Sequence, residues 1–241
     1  MSSKTDSPLS RDAARERALI RIQAASGALF AVFLLAHLVN QMVAVFGPVT
    51  YDALQGGLRR VYQTPLLEVV LVAAPLLVHI VVSVWRMIRR RRAGRAVPRS
   101  SRARLQRYSA IVLLVFTFGH VLATRGASLV YDVFPGFDGV AYTLVWFFGY
   151  FFPYYLLFAV AGLYHLLNGL TLALSRLRLP GPGVVRSGRL VMAAWFVGAV
   201  ALAFGLAGFA GAFDSGVREA AITSPYARLL GELDVAEPVT R

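Results

Sequence analysis

Residues 68–92 read EVVLVAAPLLVHIVVSVWRMIRRRR, and this stretch decides the fold. It joins a long apolar run, one histidine in mid-run and a burst of arginines at its end. About twenty apolar residues rising ~1.5 Å each cross a hydrocarbon core of about 30 Å, and a helix satisfies every backbone group of such a segment from within. The stretch is therefore expected to be a membrane helix. Arginines continue past it at Arg95, Arg99, Arg102, Arg104 and Arg107 with no acid among them. By the positive-inside rule they mark the cytoplasmic end, so the helix runs from outside to inside. His79 remains: an ionisable side chain at membrane depth is costly and points to a function. Its candidate roles are a haem or metal ligand, a proton carrier or a packed hydrogen-bonding histidine.

The composition extends this reading to the whole chain. With 57% hydrophobic and 15% charged residues over a length of 241, the chain reads as an all-α, multi-pass integral membrane protein with one membrane domain. The net charge of +13 sits mainly in short loops beside apolar spans, where topology explains it better than nucleic acid does. Cysteine is absent, which excludes disulfides, thiol catalysis and cysteine-held clusters or zinc sites within the chain.

Read in order, residues 1–20 form a polar cytoplasmic N-terminus that frays before entering a helix. A membrane domain over 21–213 follows, with spans at about 22–46, 66–88, 108–129, 143–174 and 190–213, and an outer tail over 214–241. The loop after the first span is rich in turn residues, and its amphipathic middle suits the interface. Pro75 is expected to kink the second span. The loop from Arg86 to Arg107 holds ten arginines; it sets topology, and in a sharper reading docks an acidic partner or anionic lipid. Trp146, Tyr150, Tyr154 and Tyr155 read as an interfacial belt, with a quinone headgroup among them as the alternative. The fifth span has no histidine and carries Gly205, Gly208 and Gly211 at small-residue spacing, which marks a packing helix. Charge balance puts the N-terminus inside, the C-terminus outside and five helices across the inner (cytoplasmic) membrane.

All four histidines, His37, His79, His120 and His165, lie inside apolar spans, one on each of four consecutive helices. Histidine is cheap in polar loops and expensive in lipid, so this distribution favours ligation. At ~1.5 Å per residue from the nearest cytoplasmic arginine, His37 and His120 lie roughly 24 and 20 Å deep, and His79 and His165 on the order of 10 to 16 Å. First therefore pairs with third, and second with fourth. Two bis-imidazole sites stacked across the membrane, around 10 Å apart in depth, suit two b haems and transmembrane electron transfer. Zinc fits less well, because no acid lies deep in a span to complete a two-histidine site. Arg125, five residues past His120, either snorkels to water or meets a haem propionate at the outer edge. The inner propionates have a choice of Arg21, Arg86, Arg89 and Arg107, backed by Gln23 and Ser26.

Gln23, Gly27 and His37 on the first helix, His79 followed by Arg86 on the second, Gln106 to His120 on the third and HLLNGL from His165 on the fourth form one pattern, with ligands 42, 41 and 45 residues apart. In this the chain resembles the five-helix dihaem cytochrome b anchor of succinate dehydrogenases and fumarate reductases. The resemblance implies that His37 and His120 ligate the outer haem and His79 and His165 the inner one. It also implies a flavoprotein and an iron–sulfur subunit on the cytoplasmic face and a membrane quinone, commonly menaquinone, as substrate. The acids nearest the expected outer quinone position are Asp52 and Glu68. With no flavin fingerprint and no cluster-binding cysteine, the chain cannot oxidise succinate alone. The alternatives are a dihaem subunit of another quinone-linked dehydrogenase or hydrogenase, and a haem-free transporter or scaffold.

Overall fold

The computed structural model describes residues 8–94, 100–180 and 187–235. Arg95 and Arg99 of the arginine run, and most of the loop after the fourth span, lie outside them. The regular structure of the described residues is helical throughout, and five helices are long and apolar enough to cross a membrane.

Helix α1 runs over Pro8–Val43, 36 residues. At ~1.5 Å per residue that is about 54 Å, well beyond a ~30 Å hydrocarbon core. The surplus lies at the N-terminus, where a frayed segment was expected and a helix is found. Two contacts hold it to the second span: the Arg15 guanidinium lies over the Trp85 ring at 5.2 Å, and Glu16 pairs with Arg86 at 2.8 Å. Helix α2, Pro48–Tyr62, is the amphipathic segment of the following loop, with Pro48 in its first turn and Tyr51 buried.

The second span, α3, covers Pro65–Arg92 and opens with a π-helical segment at Glu68–Ala73 before α-helix resumes at Ala74. Pro75, where a kink was expected, stands just after this π-segment. Proline offers no amide to the carbonyl four residues before it, and a wider turn upstream absorbs the missing bond. The third span, α4, covers Ser101–Tyr131. Its start is capped by the Ser100 hydroxyl, which accepts from the Ala103 amide at 3.2 Å, and it contains a second π-segment at Leu122–Gly126.

Two departures from the sequence reading concern the end of the bundle remote from the arginines. Residues expected as loop and as the start of the fourth span form a separate, largely buried helix α5, Phe137–Trp146; the backbone turns at Phe147, and the span α6 begins only at Phe148, running Phe148–Leu177. The tail expected to be polar folds back as α8, Val217–Ile222, and α9, Pro225–Glu232. Val217, Ala221, Tyr226, Ala227 and Leu229 of these helices join Tyr51, Phe137, Tyr142 and Phe209 in one buried cluster. The result is a cap over one end of the bundle.

The fifth span, α7, is Gly188–Phe209. It lies against α1 and α6, and the close approach needs glycine: a Cβ on Gly205 would strike the Gln41 carbonyl, and one on Gly208 the Ala44 carbonyl. Gly211 acts differently from its two neighbours, ending the helix at φ 78°. The remaining four spans form a row, α3 against α1, α1 against α6, α6 against α4. The row folds round so that α1 faces α4 and α3 faces α6 across the bundle through their histidines.

Candidate functional site

Each histidine meets the partner that depth along the helices gives it. The His37 and His120 rings have centroids 5.9 Å apart and the His79 and His165 rings 6.1 Å. All four imidazoles keep part of their surface accessible. Among the described residues no group of three or more histidine, cysteine, aspartate or glutamate side chains comes together to hold a metal ion; the histidines meet strictly in twos.

The spacing tests what such pairs can hold. A metal–nitrogen bond to histidine is about 2 Å, and a ring centre lies roughly 1 Å behind its nitrogen, so one metal between two imidazoles sets the centroids about 6 Å apart. Both pairs fit that requirement. The ring planes within the pairs are twisted by 66° and 86°. A bis-imidazole pair without further ligands suits haem iron, whose porphyrin supplies the other four.

At the arginine-rich end, hydrogen bonds orient His79 and His165. Nδ1 of His79 lies 3.0 Å from the Gln23 carbonyl, so it carries the proton and leaves Nε2 free to ligate. A Cβ on Gly27 would sit 2.7 Å from the same nitrogen, so only glycine lets α1 come this close. The Gln23 side chain donates to the Ser83 hydroxyl at 2.7 Å and accepts from Arg86. Arg86 also binds Glu16 through Nε and Nη2, at 3.1 and 2.8 Å. Nδ1 of His165 lies 3.3 Å from the Ser109 hydroxyl and 3.1 Å from the Gln106 carboxamide. Asn168 is buried, donates to Gln106 Oε1 at 2.7 Å and accepts from Arg102. An arginine thus stands behind each of these two histidines: Arg102 reaches His165 through two carboxamides, and Arg86 holds the side chain of Gln23, whose backbone carbonyl meets His79.

The pair towards the cap is held by rings instead. Phe33 stacks on His37 at 5.7 Å, Phe158 lies 5.3 Å from His120, and Tyr62 meets Phe33 edge-on at 4.9 Å. Arg125 forms an ion pair with Glu68, Nε to Oε1 at 2.5 Å and Nη2 to Oε2 at 2.6 Å, while Nη1 donates to the Ser128 hydroxyl at 2.9 Å. Each partner comes from a π-segment, Glu68 from α3 and Arg125 from α4.

The other sequence candidates divide. Ser26 is buried and spends its hydroxyl on the Ile22 and Gln23 carbonyls. Arg21 is exposed and Arg107 half-buried. Nη1 of Arg89 is buried without a hydrogen-bond partner. Tyr155 of the aromatic belt turns inward, sharing a hydrogen bond of 2.9 Å with Thr143, while Tyr150 and Tyr154 stack on one another. The sequence reading missed Glu16 and Glu68 as counter-ions. Arg86 and Arg125 stand at the edges of apolar runs, where a guanidinium seeks a carboxylate, but nothing local says which carboxylate.

Comparison with known proteins adds nothing to this geometry: no family model, no curated protein and no solved structure matches the chain.

Proposed function

We propose that this chain is the dihaem cytochrome b subunit of a succinate:quinone oxidoreductase, a succinate dehydrogenase or fumarate reductase. It would anchor the enzyme in the inner membrane and pass electrons between an iron–sulfur subunit and quinone. The observation that carries the reading is the pair of cross-bundle imidazole contacts, 5.9 and 6.1 Å between ring centres, drawn from four separate helices. A transporter using its histidines structurally has no need for two pairs at the spacing of one metal ion.

In this reading His37 with His120, and His79 with His165, hold two b haems, which supply one-electron carriers at two depths. The chain's own residues orient and insulate them. The Gln23 carbonyl fixes the His79 imidazole with Nδ1 protonated, and the Ser109 hydroxyl and Gln106 carboxamide orient His165. Phe33 and Phe158 exclude water from the outer pair. Arg86 and Arg102 place positive charge near the inner site, where propionates need a cation. Glu68, beside Arg125 and near Tyr62, is a carboxylate suited to exchange protons with a quinone at the cap end. The arginine-rich end is cytoplasmic and carries the flavoprotein and iron–sulfur subunits.

The deciding experiment is purification from cells able to make haem. Reduced-minus-oxidised spectra should show b-type bands at two haems per chain, and a flavoprotein with succinate or fumarate activity should co-purify. A preparation without haem bands would overturn the electron-transfer reading. Recovery with a hydrogenase or formate dehydrogenase module would defeat the succinate assignment and leave the haems.

A further inference from the structure

A hydrogen bond from the C-terminal cap reaches the outer pair's surroundings. Tyr226, at the start of α9, is 7% exposed, and its hydroxyl donates to the Ala123 carbonyl at 3.2 Å. Its ring packs where a phenylalanine would serve equally, near Gly139 of α5. The hydroxyl therefore answers to the carbonyl, and the carbonyl is available for a local reason. Ala123 lies in the π-segment Leu122–Gly126, and the Ala127 amide, its α-helical partner, bonds to Thr124 instead. At the start of the same turn the Thr124 hydroxyl donates to the His120 carbonyl at 2.7 Å. The Ala123 carbonyl is thus met by a side chain 103 positions away.

What the turn accomplishes is the direction of Arg125. Successive residues of a helix are separated by about 100°, so moving the turn into α-helical register swings the following side chain by roughly that angle. In the wide register Arg125 reaches both carboxylate oxygens of Glu68. We infer that Tyr226 is a positioning residue: from the C-terminal cap, through the Ala123 carbonyl, it holds the π-turn that aims Arg125 at Glu68 beside the His37–His120 pair. It thereby sets the charge balance at that pair. The inference rests on reading the pair as a haem site.

The test is Tyr226→Phe in the full chain, purified with whatever subunits accompany it. Losing a bond to a buried carbonyl should raise hydrogen exchange in the 122–130 segment about tenfold. With Arg125 released, Glu68 is left unbalanced, and the midpoint of the outer haem should fall, by less than Arg125→Gln lowers it, while the inner midpoint stays. Tyr164→Phe removes an equivalent hydroxyl from the Arg102 carbonyl at the other end and should leave both outer readouts unchanged. Unchanged exchange in Tyr226→Phe overturns the inference. So does faster exchange with an unmoved outer midpoint, which would make Tyr226 structural only, or an equal outer shift in Tyr164→Phe. A preparation lacking haem defeats the haem reading instead, and the exchange rates then decide by themselves whether Tyr226 holds the turn.

Discussion

A single carbon atom at Gly27 separates the two histidine sites experimentally. The Cβ of alanine would stand 2.7 Å from Nδ1 of His79, so the ring must move and lose its bond to Gln23. If the pairs hold haem as proposed, Gly27→Ala should remove or loosen the one at His79 and His165 and spare the other, read as halved b-band absorbance with one surviving midpoint. His79→Ala and His165→Ala should have the same selective outcome. If His79→Ala instead emptied the site of His37, the pairing would be wrong. Charge offers a second handle. At about 10 Å and an effective dielectric constant of about 20, a unit charge is worth roughly 1.7 kcal/mol, on the order of 70 mV for a one-electron couple. Losing positive charge favours oxidised haem, so Arg125→Gln should lower the outer midpoint by tens of millivolts, and Glu68→Gln should raise it. A redox titration that resolves both haems and finds the outer one unmoved in both variants would leave the ion pair a structural contact.

Among the elements, the cap is the one whose stability should follow pH. Burial pushes the carboxyl of Asp52 above the ordinary range, against the opposing effect of the Phe137 amide it accepts from. Burial does the same to Asp138, and the nearby Asp52 charge adds to it. Each group binds its proton more tightly in the folded cap than in an unfolded chain. Their ionisation therefore costs the fold, and the cap is most stable below the ordinary carboxylate range, losing stability as pH rises through the raised values. Hydrogen exchange of α5, corrected for intrinsic rate, should quicken relative to the bundle across that window. Asp52→Asn keeps an oxygen for the Phe137 amide and should flatten the dependence; an equal slope in the variant would assign it elsewhere. For α7 the corresponding element test is Gly205→Val. Its side chain would meet the Gln41 backbone, and overpacking of this kind costs typically about 1–3 kcal/mol, visible as a lower unfolding temperature in detergent.

At the scale of the whole molecule, two polar chains run from the arginine-rich end into the bundle. One passes from Glu16 through Arg86 and Gln23 to His79, the other from Arg102 through Asn168 and Gln106 to His165. Among the described residues the opposite end has a single ion pair, Arg125–Glu68, under a folded cap. Truncating the chain before Val217 should expose Phe137, Tyr142 and Phe209. It should leave the inner haem spectrum intact while broadening the outer one.

The sequence by itself determined the five spans, because apolar length and backbone satisfaction in lipid depend on local composition alone. It also determined which histidines can face one another, because depth is a count along a straight helix. It could not show that Glu68 answers Arg125 or that Glu16 answers Arg86, since those partners lie 57 and 70 positions apart and no local rule joins them. The cap was equally hidden. Residues 214–235 carry enough acids and arginines to read as solvent-exposed, and only the tertiary structure pairs Val217, Ala221, Tyr226 and Leu229 with the apolar face of α5. The π-turns were invisible for the same reason. A π-turn leaves carbonyls without their α-helical donors, and the wide register survives where distant groups compensate, as the Tyr226 hydroxyl does at Ala123.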